Sequence, residues 1–167
     1  MINTANLEGV QHVVSQGIDF PSYVSGFFEG EGCFSVSFSR NHKFIMKWEV
    51  RPSVSVSQNE SRRQIVDQIQ NYFGCGFIRR DYSDKTVKWE CRSLKDLHSI
   101  VLPHFDKYPL VTAKNEDVKA LRKVVTQMIN KEHRTRKGIE RIVAIAANMN
   151  PDGKRRIALT DILASMR

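Results

Sequence analysis

A short apolar helix that ends in two carboxylates and two glycines constrains this chain more than any other feature. The segment Val24–Gly32 reads Val-Ser-Gly-Phe-Phe-Glu-Gly-Glu-Gly and runs directly into an alternating segment, Cys33–Ser39. Acidic groups at a helix C-terminus oppose the helix dipole and destabilise the helix. A sequence that keeps Glu29 and Glu31 there is typical of a site that holds a cation, and a hard carboxylate ligand suits Mg²⁺.

The same helix is predicted to have one bulky face and one small face. Pro21 suits its first turn, and at 100° per residue the apolar side chains of residues 23, 24, 27 and 28 share one side, which belongs in a core. The opposite side is small enough for another backbone to approach closely, which favours packing against a twin helix. The predicted dimer-interface residues are Ser22, Ser25, Gly26 and Glu29.

Period-2 alternation predicts four strands, each with one buried and one solvent-facing side. They cover Cys33–Ser39, Met46–Ser57, Phe77–Tyr82 and Thr86–Arg92. Helices are predicted over 60–73, from Ser93 to Leu102, from Thr112 to about Asn130, after Thr135, and over 159–166, with a loop between Pro103 and Pro109. This order predicts an α+β domain with a four-stranded antiparallel sheet and helices on one face. We expect an N-terminal arm over 1–20, the domain over 21–150 and a basic tail over 151–167.

The solvent-facing sides of these strands mix cations with hydrogen-bond donors and acceptors. Lys and Arg alone satisfy phosphate binding, whereas base-edge readout in a major groove needs such a mixture. A solvated face explains one such strand, but four with the same polar phase favour nucleic acid. The predicted DNA-binding residues are Ser35, Ser37, Ser39, Arg40, Lys47, Glu49, Arg51, Ser53, Ser55, Arg79, Asp81, Lys88, Glu90 and Arg92.

The charge balance points to the same kind of partner. The chain has 26 Lys and Arg residues against 18 Asp and Glu residues, a formal charge of +8, which favours a polyanion through counterion release. The cysteines at 33, 75 and 91 are odd in number and lack C-x-x-C spacing, so we expect reduced thiols and no zinc site. Residues 1–20 are too polar for a signal peptide, and no apolar run is long enough to span a bilayer.

Four segments, in this order, resemble the LAGLIDADG homing endonucleases. They are Val24–Gly32, Val56–Arg62, Tyr108–Lys114 and His133–Val143, with Met149 and Asn150 after the last. The resemblance covers roughly residues 21–150 and implies an αββαββα domain that dimerises through the motif helix. Because the motif occurs once, it implies a homodimer that spans a long pseudo-palindromic DNA site with its two sheets in the major groove.

The resemblance also implies roles for individual residues. Glu31 would bind the divalent metal, helped by the backbone carbonyl of Gly30. Gln58 and Arg62 would position the attacking water and stabilise the scissile phosphate. Lys114 would be the basic residue near the nucleophile, or Lys107 if the alignment shifts. The chemistry would be metal-assisted hydrolysis of one phosphodiester per strand. This chain has Glu at positions 29 and 31, where the family more often has Asp.

Two other functions are compatible with the sequence. One is a non-cleaving nucleic-acid binder of the same fold, either an intron RNA maturase or a transcription regulator. The other is a basic structural protein, for example one associated with the ribosome. The two retained acids favour the nuclease over the binder, and the Ser- and Glu-containing strand faces argue against the structural protein. We expect action inside the cell, in an organelle or in prokaryotic cytoplasm.

Overall fold

The computed structural model of the chain describes residues 17–150 and 158–165. Its strands are β1 (Gly32–Arg40), β2 (Trp48–Asn59), β3 (Phe77–Asp81) and β4 (Thr86–Cys91). They form one antiparallel sheet in the order β1-β2-β4-β3. The two hairpins therefore lie side by side, with the longest strand, β2, between β1 and β4.

The helices follow the predicted order. They are α1 (Phe20–Glu31), α2 (Gln64–Phe73), α3 (Leu94–Asp96), α4 (Leu102–Lys107), α5 (Lys114–Ile129), α6 (Arg136–Ala147) and α7 (Leu159–Ser165). A π-helical segment, Leu97–Val101, joins α3 to α4, and short 3₁₀ helices occupy Glu60–Arg62 and Glu132–Arg134. The predicted α+β class, with a four-stranded antiparallel sheet and helices on one face, is confirmed.

The core forms where the motif helix meets the apolar side of the sheet. Phe28 of α1 is fully buried, and its ring centroid lies 6.0 Å from those of both Phe34 in β1 and Trp89 in β4. Phe73 of α2 and Phe105 of α4 complete the ring cluster around it, at 6.3 Å and 5.2 Å. Burying one such aromatic side chain contributes about 1.5–3 kcal/mol, so Phe28 anchors α1 to the sheet.

The predicted loop between Pro103 and Pro109 is wrong up to Lys107, because these residues are helical. The backbone N–H of Leu102 bonds to the Leu97 carbonyl, five residues back, which is the π-helical pattern. This shift of the hydrogen-bond ladder lets Pro103 stand in the first turn of α4, where a missing N–H costs nothing. The helix therefore continues to Lys107.

Strand β2 begins two residues later than predicted. Lys47 has φ 58°, a left-handed conformation that ends the β1–β2 turn, so the strand starts at Trp48. Pro52 lies opposite Val36 of β1, and the pairing of β2 with β4 begins only at Val54. That side of β2 is locally an edge, which is where proline is tolerated.

Part of the predicted tail packs on the domain. Ile162 of α7 is fully buried in a small second core with Trp48, Ile139 and Val143. The indole Nε1 of Trp48 also donates a hydrogen bond to Ser165 Oγ at 2.9 Å. Most of the predicted N-terminal arm (1–16) and the remaining parts of the predicted tail (151–157 and 166–167) lie outside the described residues. In the described part of the chain, no helix combines the length and apolarity needed to cross a membrane.

Candidate nucleic-acid interface and active site

The face of the sheet opposite the helices is polar, as the alternation predicts. Register pairs Ser35 with Ser53, Ser37 with Arg51, and Arg79 with Lys88 across neighbouring strands. The predicted DNA-binding residues on this face that keep solvent exposure are Ser35, Ser37, Ser39, Glu49, Arg51, Arg79, Asp81, Lys88 and Arg92. Exposed guanidinium groups beside hydroxyl and carboxylate groups give this face both donors and acceptors.

A buried carboxylate organises the middle of this polar face. Glu90, only 4% exposed, accepts a hydrogen bond from Ser53 Oγ at 2.8 Å. Its other oxygen lies 2.9 Å from a guanidinium nitrogen of Arg92 and 3.6 Å from Nε of Arg79. Burial raises the pKa of Glu90, but the hydrogen bond from Ser53 and the charge of Arg92 outweigh it, so the pKa lies below its usual value. Glu90 therefore holds two exposed arginines in place.

Three predicted DNA contacts lie deeper than the alternation suggests. Ser53, Ser55 and Glu90 are each at most 6% exposed. Glu90 is held in place by its contacts with Ser53, Arg79 and Arg92, and alternation predicts the side of a strand but not the depth of a side chain. The prediction that these three residues face DNA directly is corrected: in this structure they support the exposed residues around them.

Two further predicted contacts lie off the polar face. Arg40 stands opposite Trp48 in the register, in the same phase as the helix-covered side, and its guanidinium carbon lies 5.5 Å from the Trp48 ring centroid. Lys47 lies in the turn before β2 rather than in the strand. Strict alternation in β1 assigns Arg40 to the same side as Phe38, and Lys47 lies in the turn, where the two-residue period of β2 has not yet begun.

The carboxyl end of α1 is capped by a lysine from another helix. Lys114 Nζ lies 2.6 Å from the carbonyl oxygen of Glu29, 3.3 Å from that of Phe28 and 3.5 Å from that of Gly30. The last turn of α1 has no basic residue of its own. A cation at this end compensates the helix dipole, so Lys114 offsets the unfavourable placement of two acids there.

Glu29 points toward the loop before α5 rather than away from its own chain. Its carboxylate accepts hydrogen bonds from the backbone N–H of Val111 at 2.7 Å, from that of Thr112 at 3.4 Å, and from the Thr112 hydroxyl. Burial raises the pKa of Glu29, but these hydrogen bonds and the charge of Lys114 lower it by a larger amount. The pKa of Glu29 therefore lies below its usual value. The sequence indicated Lys114 in this segment but not the anchoring role of Thr112.

Glu31 differs from Glu29 in having no protein partner. It is exposed at the last position of α1, and no residue of the described ranges donates a hydrogen bond or ion pair to its carboxylate. An exposed, unpartnered carboxylate beside backbone carbonyls is a fitting donor set for a hard divalent cation. No other Asp, Glu, His or Cys of the described residues joins Glu31 in a three-ligand group, which suits an ion that keeps waters and takes phosphate oxygens.

Gln58 and Arg62 lie at the same end of the sheet as Glu31. Gly32, the residue after Glu31, pairs with Val56 in the register, and Gln58 stands two residues farther along β2. Gln58 and Arg62 line a groove that also contains Tyr23 and Phe27 of α1. The fold therefore places Glu31 and Lys114 at the carboxyl end of the motif helix, and Gln58 and Arg62 in a groove beside earlier turns of the same helix.

The small face of α1 is open along most of its length. Ser22, Gly26 and Gly30 are exposed, and a Cβ atom added at either glycine would meet nothing within 4 Å. Ser25 is an exception, because it is buried and donates a hydrogen bond to the Tyr108 carbonyl at 2.6 Å. The prediction that Ser25 lies on the open face is corrected, since its hydroxyl satisfies a carbonyl of its own chain.

A buried histidine beneath α1 was not singled out from the sequence. His104 Nε2 lies 3.1 Å from Ser25 Oγ, and its Nδ1 lies 3.0 Å from the hydroxyl of Tyr72. Because the Ser25 proton goes to the Tyr108 carbonyl, His104 donates from Nε2 and accepts the Tyr72 proton at Nδ1. Burial lowers the pKa of His104 to about 4. A single histidine in the sequence does not indicate that its side chain joins a buried hydrogen-bond network.

Comparison with known proteins agrees with this geometry. The family model described as LAGLIDADG endonuclease matches residues 24–125. The chain is 32% identical over 131 residues to "Probable intron-encoded endonuclease 2" of Neurospora crassa, covering 78% of this chain and 29% of that protein. It is 30% identical over 59 residues to "DNA endonuclease I-CvuI" of Chlorella vulgaris, covering 35% of this chain and 37% of that protein.

Two solved structures extend the likeness to the fold. The homing endonuclease I-TnaI superposes with a TM-score of 0.81 at 33% identity, covering 88% of this chain and 97% of its own. I-SmaMI bound to cleaved DNA superposes with a TM-score of 0.78 at 32% identity, covering 87% of this chain and 47% of its own. The chain thus spans less than a third of the Neurospora relative and about half of I-SmaMI. With the family model matching more than half of its residues, the chain belongs to the LAGLIDADG endonuclease family.

Proposed function

We propose that this chain is a site-specific DNA endonuclease that acts as a homodimer joined through α1. The observation that carries the proposal is the exposed carboxylate of Glu31, which has no partner in the described residues and stands at the carboxyl end of α1 beside Lys114. Family membership and the polar face of the sheet support it, since the face supplies a DNA-binding surface next to that carboxylate.

The homodimer rests on the open small face of α1. Gly26 and Gly30 leave space that nothing in the described chain fills. A groove of about 390 Å³ runs beside this helix, lined by Ser22, Gly26 and the loop that Glu29 anchors. Two such helices, packed face to face, would bring both copies of Glu31 near the dyad, one for each DNA strand.

The length and charge of the sheet suit a long target. Strand β1 has nine residues, so it extends about 30 Å, the length of roughly nine base pairs. Two chains of formal charge +8 give +16 for a dimer. A symmetric pair of sheets, each following one half of the duplex, would read a pseudo-palindromic site in the major groove, with Arg79 and Arg92 as the strongest candidates for guanine contacts.

Glu31 would hold a divalent metal such as Mg²⁺, together with the Gly30 carbonyl. The bound ion would supply Lewis-acid stabilisation of charge on the scissile phosphate during hydrolysis. Gln58 would orient the attacking water through its side-chain amide. Arg62 would stabilise charge that develops on the phosphate. Lys114 would keep the carboxyl end of α1 in place and add positive charge close to the reacting phosphate.

Names of several relatives refer to introns, including one in an ND4 intron of Podospora anserina. We extend this to the present chain and infer an intron-borne gene whose product acts in an organelle. Its target would then be intron-free DNA at the position where the intron inserts. Because this is a single site, the protein would need to recognise a long sequence.

The test is cleavage selection from a randomised DNA library with Mg²⁺, comparing the protein with Glu31→Gln. We expect the unchanged protein to enrich one cut site, and Glu31→Gln to bind that site but not cut it. Glu116→Gln is the matched control, because Glu116 is an exposed residue of α5 paired only with Lys119. Equal cutting by Glu31→Gln would refute the metal assignment. Binding without cutting by the unchanged protein would favour the non-cleaving binder.

A further inference from the structure

Two cysteines that are distant in the sequence meet in the structure. Cys75 follows the left-handed Gly74 that ends α2, and Cys91 is the last residue of β4. The pairing of Phe77 with Glu90 brings Cys75, two residues before β3, beside the end of β4. The ligand atoms of Cys75, Cys91 and Asp96 all lie within 4.8 Å of one another.

The surroundings of these groups favour a cation. Asp96 stands in the first turn of α3, and no described residue donates a hydrogen bond or ion pair to its carboxylate. Burial raises the pKa of Cys75, and burial with the nearby Cys75 thiol raises that of Cys91 to about 12. Two thiols and a carboxylate in this arrangement offer three ligand atoms, which one divalent cation would bind at once.

We propose that Cys75, Cys91 and Asp96 form a binding site for a thiophilic divalent cation such as Zn²⁺, with water as the fourth ligand. Tetrahedral zinc takes sulfur ligands at about 2.3 Å and carboxylate oxygens at about 2.0–2.2 Å. Two sulfurs bound in this way lie roughly 3.8 Å apart, so the observed spacing needs a contraction of at most about one ångström. Two thiol protons pass to solvent as the two metal–sulfur bonds form.

An ion can reach the site from solvent, and a backbone N–H favours the thiolate form of Cys91. Cys75 and Asp96 keep partial exposure, while Cys91 is fully buried behind them. The backbone N–H of Ser93 donates a hydrogen bond to the Cys91 sulfur, which favours its charged form. A bound ion would join the end of α2, the end of β4 and the start of α3. None of the residues proposed for DNA cleavage takes part, so the two proposals stand or fall separately.

The experiment is a Cd²⁺ titration of reduced, chelator-treated protein, followed by sulfur-to-metal charge-transfer absorbance in the ultraviolet. We expect saturation at one ion per chain, with release of two protons, and a rise in the melting temperature on adding Zn²⁺. Cys75→Ser should abolish both effects, and Asp96→Asn should weaken binding at least tenfold. Circular dichroism of Cys75→Ser verifies that this variant is folded.

Cys33→Ser is the matched control, because Cys33 lies on the polar face of β1 away from the cluster. It should keep the absorbance and the thermal shift. The proposal is overturned if the reduced protein gives no charge-transfer band, if Cys75→Ser gives the same band, or if only Cys33→Ser loses it. A Cys75–Cys91 disulfide that forms in the presence of one equivalent of Zn²⁺ would also overturn it.

Discussion

The ammonium nitrogen of Lys114 lies 2.6 Å from the backbone carbonyl oxygen of Glu29, so the first residue of α5 caps the last turn of the motif helix. Glu29 returns the contact by accepting hydrogen bonds from Val111 and Thr112, just before α5 begins. These two contacts join α1 to α5 at the point where Glu31 reaches solvent. The position of Glu31 therefore depends on a residue more than eighty positions away.

Replacing Lys114 with methionine should impair both stability and cleavage. Loss of the cation at the end of α1 should lower the free energy of unfolding by about 1 kcal/mol. Loss of positive charge near the phosphate should slow single-turnover cleavage by roughly 100-fold. Lys107→Met is the control, because the Lys107 ammonium lies over the Tyr108 ring, 5.3 Å from its centroid, and not at the end of α1. A larger loss of cleavage in Lys107→Met would transfer the catalytic role to that residue.

Replacing Glu90 with glutamine should reduce base discrimination more than overall affinity. The change keeps the shape but removes the charge that holds Arg79 and Arg92, at 3.6 Å and 2.9 Å. One good bidentate arginine–guanine contact is worth about 1–3 kcal/mol of discrimination, so preference at the matching positions of each half-site should fall about tenfold. Binding to libraries randomised one position at a time measures this.

Arg79→Ala provides the comparison for Glu90→Gln. If Arg79 reads a base, its removal should relax the preference at one position in each half-site. A uniform loss of affinity across all sequences would mean instead that Arg79 contacts phosphate, and the positioning role of Glu90 would then be unsupported.

Gly26→Leu should disrupt the dimer without harming the domain. A Cβ atom added at this position meets nothing within 4 Å in the described residues, so we expect the monomer to accept a side chain there. Leucine also has a higher helix propensity than glycine, by about 0.8 kcal/mol. In sedimentation experiments we expect the unchanged protein to form dimers on DNA and Gly26→Leu to remain monomeric. Ala144→Leu, on the exposed side of α6, is the control. Unchanged dimerisation of Gly26→Leu would exclude the α1 interface.

Stability should fall as the pH drops from about 6.5 toward 4. Burial lowers the pKa of folded His104 from 6.5 to about 4, so in this range the unfolded chain binds a proton that the folded chain excludes. The contribution of neutral His104 to the free energy of unfolding is complete above the pKa that His104 has in the unfolded chain. Roughly 3 kcal/mol of this free energy is lost by the time the pH reaches the pKa of His104 in the folded chain. Urea unfolding at pH 7, 5.5 and 4.5 measures the decline.

His104→Gln should flatten most of that decline, because glutamine can keep hydrogen bonds to Ser25 and Tyr72 but does not titrate. A smaller slope should remain from His133, whose pKa is lowered by burial and by Arg134. An unchanged slope in His104→Gln would show that His104 is not the group responsible.

Much of this architecture follows from local patterns. Alternation in β1 and β4 identifies their buried sides, and Thr135 caps α6 by accepting a hydrogen bond from Gly138 N–H at 3.1 Å, as predicted. These features succeed because strand and helix periods are properties of the backbone itself. Pro103 shows the limit, since the π-helical turn that accommodates it has no sequence period of its own.

The sequence by itself determined the order of strands and helices and the polar face of the sheet. Through the motif helix it also indicated membership of the LAGLIDADG endonuclease family. Only the tertiary structure decided that Ser25 turns inward, that Glu90 lies beneath two arginines, that Lys114 caps α1 and that Cys75 meets Cys91. The first set depends on periods that neighbouring residues share. The second depends on register and packing between distant segments, which decide where a side chain ends and which charges it meets.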